Sequence, residues 1–238
     1  MEVLLTNDDG IDAEGLQCLA KAMESIADVT VVAPKDPSSS CSHHVTVATA
    51  ISLERNNRDH YIVGGFPADC VRIAIQHLGL RPDWIISGIN HGGNLGTDTV
   101  LSGTVAAARE SSLFGIPSIA VSQYRRPNCE TSWTKSAQRF IDVFQSDAFG
   151  DMRGTETLQT ASKRGVWNVN LPALPDSESC PSPVLCSPEP SILPFQYKST
   201  PDGLRYECVY QQRGQADASD VAICFGGAPS ISWLSTQP

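Results

Sequence analysis

The stretch that decides the fold is EVLLTNDDGIDAEGLQCLAKAMESI, Glu2 to Ile26. EVLLT, Glu2 to Thr6, is a short apolar run of the β type. AEGLQCLAKAMESI, Ala13 to Ile26, sets Leu16, Leu19, Ala20 and Met23 at helical spacing. Between strand and helix stand Asn7, Asp8, Asp9 and Gly10. In a regular strand neighbouring side chains point to opposite faces, but at a strand end that turns through glycine two carboxylates can converge. Converging carboxylates repel, and a hard divalent cation such as Mg²⁺ or Mn²⁺ relieves them. The same residues also suit a plain turn, with Asp12 as a helix cap. At this point both readings stand.

Strand and helix patterns keep alternating. DVTVVAP, Asp28 to Pro34, is a second buried strand, and YIVGG, Tyr61 to Gly65, is short and β-branched. PADCVRIAIQHLGL reads as a helix with Pro67 in its first turn and Gly79 near its end. PDWIISGIN, Pro82 to Asn90, is a strand running into a Gly/Asn loop. SGTVAAARESSLFG, Ser102 to Gly115, is an Ala-rich helix capped by Ser102 or Thr104. PSIAVSQ is the next strand, and SWTKSAQRFIDVFQSDAF gathers Ala137, Phe140, Ile141 and Phe144 on one helical face. GVWNVNLP, Gly165 to Pro172, ends the alternation. Such a pattern predicts an α/β fold: a parallel sheet covered on both faces, in three layers. Ligands then bind at the carboxyl ends of the strands, where Asp8-Asp9, Pro34 to His44, and Ser87 to Leu101 lie.

From about Leu171 the composition shifts. LPALPDSESCPSPVLCSPEPSILP carries seven prolines and no helical period. LRYECVYQQ and VAICF read as strand-like pieces, followed by SISWL. The expected organisation is a domain over residues 1–172 and, over 173–238, a Pro-rich arm with an extended β appendage that pairs with another subunit.

With 17 Lys+Arg against 26 Asp+Glu, the net charge of -9 argues against nucleic-acid polymers and anionic membranes as partners. No export-type leader opens the chain, and no apolar run approaches the ~18 residues of a membrane span, so a soluble cytoplasmic protein is expected. None of the eight cysteines forms a C-x-x-C pair, which speaks against zinc. Cys18 and Cys70 fit helix cores. Cys180 and Cys186 flank a Pro-rich loop and could pair, but the cytosol keeps thiols reduced, which favours free thiols.

Four loops carry candidate chemistry. SSSCSHH, Ser38 to His44, can ligate metal or hold phosphate oxygens, or be a solvated loop; adjacent His43 and His44 rarely reach one ion. SGINHGGNLG, Ser87 to Gly96, allows close backbone approach to an anion and offers Asn90 and Asn94 as neutral oxygen ligands or donors, with His91 at the rim. Ser102, Gly103 and Thr104 open a helix whose N–H groups suit a phosphate, or form a plain cap. In GGFPADCV, Asp69 sits in a first helical turn and reads as structural. Together these supply carboxylates, a hydroxyl and an amide oxygen for one hard metal, beside an N-terminal phosphate cradle. That combination suits metal-assisted hydrolysis of a phosphate ester.

LLTNDDGIDAEGL, VVAP with its following serines, GFPADCV, ISGINHGGNLGTDTVLSGTVAAA, GIPSIAVS and WNVNLP together resemble the SurE family of survival proteins, in its order and spacing, over roughly Met1 to Pro172. The resemblance implies a Rossmann-like catalytic domain and a divalent-metal-dependent phosphatase of nucleoside 5′- and 3′-monophosphates. It also implies homodimers or homotetramers with an exchanged C-terminal segment. It places one Mg²⁺ or Mn²⁺ per subunit on Asp8, Asp9, Ser39 and Asn90, with Asp8 and Asp9 as the catalytic pair. Substrate phosphate falls, more loosely, to Asn94 and to Ser102, Gly103 and Thr104. The chain departs from the family in KDPSSSCSHH, where Ser40 and Cys41 replace small residues and His43 an Asn, and at His91. Its C-terminal part matches mainly in ASDVAICFGGAPSISWL and stops at Pro238, short of the family's common terminal helix.

Two other readings are weaker. An aspartyl-phosphate phosphatase of the haloacid dehalogenase type needs a nucleophilic Asp with an acid two residues on, and Asp8 has Gly10 there. A catalytically weak nucleotide- or metal-binding module of the same fold is the non-enzymatic alternative.

Overall fold

The structure is a computed structural model that describes residues 1–56, 59–149 and 165–236. Its strands are β1 (Glu2–Thr6), β2 (Asp28–Pro34), β3 (Leu53–Arg55), β4 (His60–Val63), β5 (Trp84–His91), β6 (Ser118–Gln123), β7 (Gly165–Leu171), β8 (Val184–Cys186), β9 (Phe195–Thr200), β10 (Gly203–Cys208) and β11 (Ser230–Ser235). The helices are α1 (Glu14–Met23), α2 (Pro67–Arg72, continued by a π-turn to His77), α3 (Gly103–Leu113), α4 (Trp133–Gln145) and α5 (Asp220–Phe225). Nine strands form one sheet in the order β3-β4-β2-β1-β5-β6-β7-β11-β8, parallel from β4 to β7.

Alternation along β1 builds both cores. Val3 and Leu5 enter the cluster under α1 and α4, while Leu4 enters the cluster with α2. Each such fully buried side chain contributes about 1.5–3 kcal/mol. α3 packs with small residues, so it lies close on the sheet and beside α2 through Val105, Ala107 and Ala108. Three layers result, as the alternation predicts.

The topology places the site. From β1 the chain moves outward through β2 to β4, then returns to the other side of β1 for β5. Loops after β1 and β5 therefore part to opposite faces and leave a crevice at their carboxyl ends.

Beyond Leu171 the structure differs from the sequence reading in two ways. VAICF is not a strand but most of α5. Ser219 accepts a bond from the Ala222 N–H, and the Asp220 carboxylate accepts from its own helix and from two other loops, which overrides the β-branched bias of Val221 and Ile223. Periodicity cannot tell so short an apolar run from a helix. Second, β11 runs antiparallel to β7 and carries β8 beside it, so both extend the main sheet. Among the described strands, only the β9–β10 hairpin stands apart from it. Cys180 and Cys186 do not pair; all eight cysteines are free.

Candidate active site

The turn after β1 is made by Asn7 and Gly10. Asn7 is fully buried and its side-chain N–H donates to the Gly10 carbonyl at 2.8 Å. Gly10 has φ +97°, which a side chain would strain. The Ser38 N–H donates to the Asp8 carbonyl at 2.7 Å and the Ile11 N–H to the Pro34 carbonyl at 2.8 Å, so this turn is tied to the loop carrying Ser39.

Both carboxylates are then held from outside the turn. The Thr104 hydroxyl donates to Asp8 at 2.5 Å, and the His91 backbone N–H donates to Asp9 at 3.0 Å. Asp8 is buried and Asp9 half-buried. Burial pushes the Asp8 carboxyl up to about 6; the Thr104 bond opposes this and the neighbouring Asp9 charge adds to it. α3 presses close beneath: a Cβ on Gly103 would lie 2.9 Å from an Asp8 carboxylate oxygen and 2.7 Å from the Cys41 sulfur. Only glycine lets the helix start reach Asp8.

Asn90 lies where β5 and β6 lose register after Ser87. That irregularity turns the strand end toward the crevice. The Asn90 amide N–H donates to the Gly92 carbonyl at 2.8 Å, leaving its oxygen as an acceptor. Ser39 is exposed on a loop clamped at three points. Ser42 donates from backbone and hydroxyl to the carbonyls of Leu101 and Val100, both at 2.9 Å. His43 bonds Glu110 at 2.8 Å. Thr46 donates to Asp69, which also caps α2 through the Phe66 N–H. Asp69 is thus structural, as its position in a first turn suggests. Burial works against the Glu110 carboxylate, but bonds from His43 and Arg72 outweigh it and hold its pKa below the glutamate range.

Asp8, Asp9, Ser39, Asn90, Asn94 and Ser102 meet in one cleft of about 930 Å³, with His91 at its edge. Gly103 and Thr104 do not line it; they support Asp8 from below. Ser102 is the cap of α3, accepting from the Val105 N–H at 3.1 Å. Its helix start turns N–H groups inward: the Thr104 N–H serves the Asp8 carboxylate and the Ala106 N–H the Ser102 carbonyl.

Several supports escaped the sequence reading. Asn94 donates to Ser122 and Asn170, and its carbonyl accepts from Asn168 and Asn170, so the alternating asparagines of β7 lock it. An Asn-x-Asn pair in an otherwise apolar strand was the available signal. That a far wall stands opposite the carboxylates was not legible. Arg213 donates to Asp98 at 2.5 Å and to the Leu95 carbonyl at 2.9 Å, and Tyr210 donates to the Gly93 carbonyl at 3.0 Å. Asp220 accepts from the N–H groups of Gly96 and Glu189, both at 2.8 Å. These bonds fasten the C-terminal arm to the loop after β5 and bring Phe195, Tyr197, Tyr206 and Tyr210 to the cleft opposite the carboxylates.

Among the described residues no three His, Cys, Asp or Glu side chains gather as a metal cluster. The donors at the floor are hard oxygens: two carboxylates, a hydroxyl and an amide. A buried carboxyl raised by burial and by a neighbouring acid fits a hard divalent cation that would neutralise both.

The profile of the family described as Survival protein SurE matches residues 3–185. A Nostoc sp. protein with a provisional 5′-nucleotidase name is 40% identical over 235 residues, covering 98% of this chain and 99% of its own. The 5′-nucleotidase SurE of Thermosipho africanus is 41% identical over 180 residues, covering 74% of this chain and 66% of its own. The crystal structure of the SurE protein from Aquifex aeolicus superposes with a TM-score of 0.84 at 28% identity, covering 100% of this chain and 94% of that one.

Proposed function

The chain belongs to the SurE family, and we propose that it is a metal-dependent phosphatase that hydrolyses nucleoside 5′- and 3′-monophosphates to nucleoside and phosphate. The observation that carries this reading is the clamped pair Asp8-Asp9 at the floor of a cleft that also holds Ser39, Asn90 and the start of α3. The nucleotidase names of its relatives support the substrate class.

Asp8, Asp9, Ser39 and Asn90 would hold one Mg²⁺ or Mn²⁺, which when bound supplies Lewis-acid polarisation of phosphoryl oxygens and a template for the attacking water. Thr104 and the His91 N–H orient the two carboxylates before substrate arrives. Ser102 and Asn94, which line the cleft, would contact the phosphate and stabilise negative charge that develops on its oxygens. Their rigidity means that little reorganisation is required as the P–O bond breaks.

The reading includes a cytoplasmic enzyme, supported by eight free cysteines that a reducing compartment would keep so. Among the described residues no helix is long and apolar enough to cross a membrane. It also includes a homodimer or homotetramer joined through the C-terminal segment.

The test is phosphate release from a panel of nucleoside monophosphates with Mg²⁺ and with Mn²⁺. Release that EDTA abolishes and either metal restores is expected. Turnover indifferent to EDTA would remove the metal from the reading, and release from none of the panel would remove the substrate class.

A further inference from the structure

The hairpin on the far wall has two unlike faces. β9 (FQYKST) pairs antiparallel with β10 (GLRYEC), with Tyr197 opposite Tyr206 and Phe195 opposite Cys208. Period-two alternation therefore puts Phe195, Tyr197, Leu204 and Tyr206 on one face, and Gln196, Lys198, Arg205 and Glu207 on the other. The rings on the first face touch. Phe195 stacks on Tyr206 with centroids 5.4 Å apart at 28°, and Tyr197 meets Tyr206 edge-on at 5.9 Å. Yet Phe195, Tyr197 and Tyr206 remain 53%, 61% and 48% exposed. Three adjoining aromatics left this open are unusual on a protein surface.

What they border is the cleft that holds Asp8 and Asp9. Its roughly 930 Å³ falls in the range of small-molecule sites and far exceeds what a phosphate group fills. One end offers carboxylates and a helix start, the other flat π-surfaces. Tyr210 joins the two ends. It is bonded to Gly93 and Asp98 and packed beside Tyr124 and Phe225, so the wall cannot drift from the floor. The family profile ends at residue 185, before the hairpin begins.

We propose that Phe195, Tyr197 and Tyr206 form a nucleobase platform: the base of the substrate stacks on the aromatic face of the hairpin while its phosphate reaches Asp8 and Asp9. This rests on the nucleotidase reading and adds the specificity element to it. Stacking is tolerant of base identity because every base has a π-face, and it favours the larger one. The platform therefore selects nucleotides over phosphate esters that lack a base, and purines over pyrimidines.

The test compares adenosine 5′-monophosphate with ribose 5-phosphate, which shares the reacting end and lacks the base. Tyr206→Ala and Phe195→Ala should each raise KM for the nucleotide by roughly ten- to a hundredfold, with kcat near normal and ribose 5-phosphate kinetics unchanged. Tyr206→Phe should behave as wild type. Equal loss on both substrates, or no change on the nucleotide, overturns the platform. So does a variant that alters only oligomeric state on a sizing column, since the face would then serve self-association. If the wild-type protein releases phosphate from neither compound, the reaction class fails instead. Calorimetric binding of adenosine still decides the platform in that case: it should be lost in Tyr206→Ala and kept in Tyr206→Phe, and binding equal in all three proteins refutes it.

Discussion

The floor and the far wall of the cleft are held by different means. On the floor each key group is tied to backbone or side chains of another element of the sheet or its helices: Asp8 to Thr104, Asp9 to the His91 N–H, Asn94 to Ser122, Asn168 and Asn170. These elements are themselves fixed by a buried parallel sheet. The wall is a two-stranded hairpin with half-open side chains, hung from one hub of Asp98, Tyr210, Arg213 and Asp220. A two-stranded hairpin is marginal on its own, so the hub decides where it sits. On the proposed function the difference teaches that reaction and substrate grip should be separable. Variants of the floor should act on turnover, and variants of the wall on KM.

The largest expected effect tests the floor. Asp8→Asn or Asp9→Asn should each lower kcat by roughly a thousandfold or more, since charge stabilisation in such sites is the dominant catalytic term. Steady-state assays at saturating metal check this. Near-normal turnover in both variants would remove the carboxylates from the chemistry and erase the contrast.

Next comes the hub. The Arg213 side chain is 1% exposed and faces Asp98. Arg213→Met should cost about 3 kcal/mol in denaturant unfolding, because it removes the charged partner of Asp98 and leaves it the Tyr210 hydroxyl alone. It should raise KM for nucleotides more than it lowers kcat. A matching fall in kcat would mean that the wall holds the floor in place.

A smaller effect separates stability from activity. The Asp8 carboxyl is raised to about 6 from its ordinary value near 3.8. The folded, metal-free chain therefore binds this proton more tightly than the unfolded chain. Its favourable contribution is complete below pH 3.8 and is lost as pH rises through 6, a swing of about 3 kcal/mol. Other carboxylates run the opposite way, Glu189 among them, held down to about 2 chiefly by the Ser191 hydroxyl. The measurement is therefore the difference between wild type and Asp8→Asn, in EDTA, from pH 4 to 7.5. The variant should gain stability relative to wild type as pH rises. A flat difference would show that Asp8 is not strained by burial.

The smallest expected change concerns the Ser39 loop. His43→Ala removes one of its three clamps and should weaken apparent Mn²⁺ affinity several-fold, at a cost of about 1 kcal/mol in stability. A calorimetric Mn²⁺ titration checks it. Unchanged affinity would show that Ser42 and Thr46 hold the loop unaided.

Much of the floor was legible because its residues are local to strand ends. The run from Glu2 to Ile26 shows strand, acidic turn and helix by spacing alone, and the rule that parallel sheets bind ligands at carboxyl edges then puts Asp8, Asp9, Ser39, Asn90 and Asn94 on one edge. The distinct parts played by Ser102, Gly103 and Thr104 were not legible. Spacing marks all three as a helix start, whereas contact makes Ser102 a cap and the other two a support for Asp8.

The arm shows the limit most clearly. Period-two alternation in FQYKST and LRYEC is visible in the sequence, but which way the aromatic face turns is not. VAICF carries a β-type composition and becomes a helix because Ser219 and Asp220 find partners from Ala222, Gly96 and Glu189. Sequence alone therefore determined the sheet, its covered faces and which polar residues gather at one edge, since burial and backbone periodicity act over a few residues. Only the tertiary structure decided what stands opposite that edge. The bonds that set it join residues more than a hundred positions apart, Asp98 to Arg213 and Gly96 to Asp220, and no local pattern records a contact whose two halves are read separately.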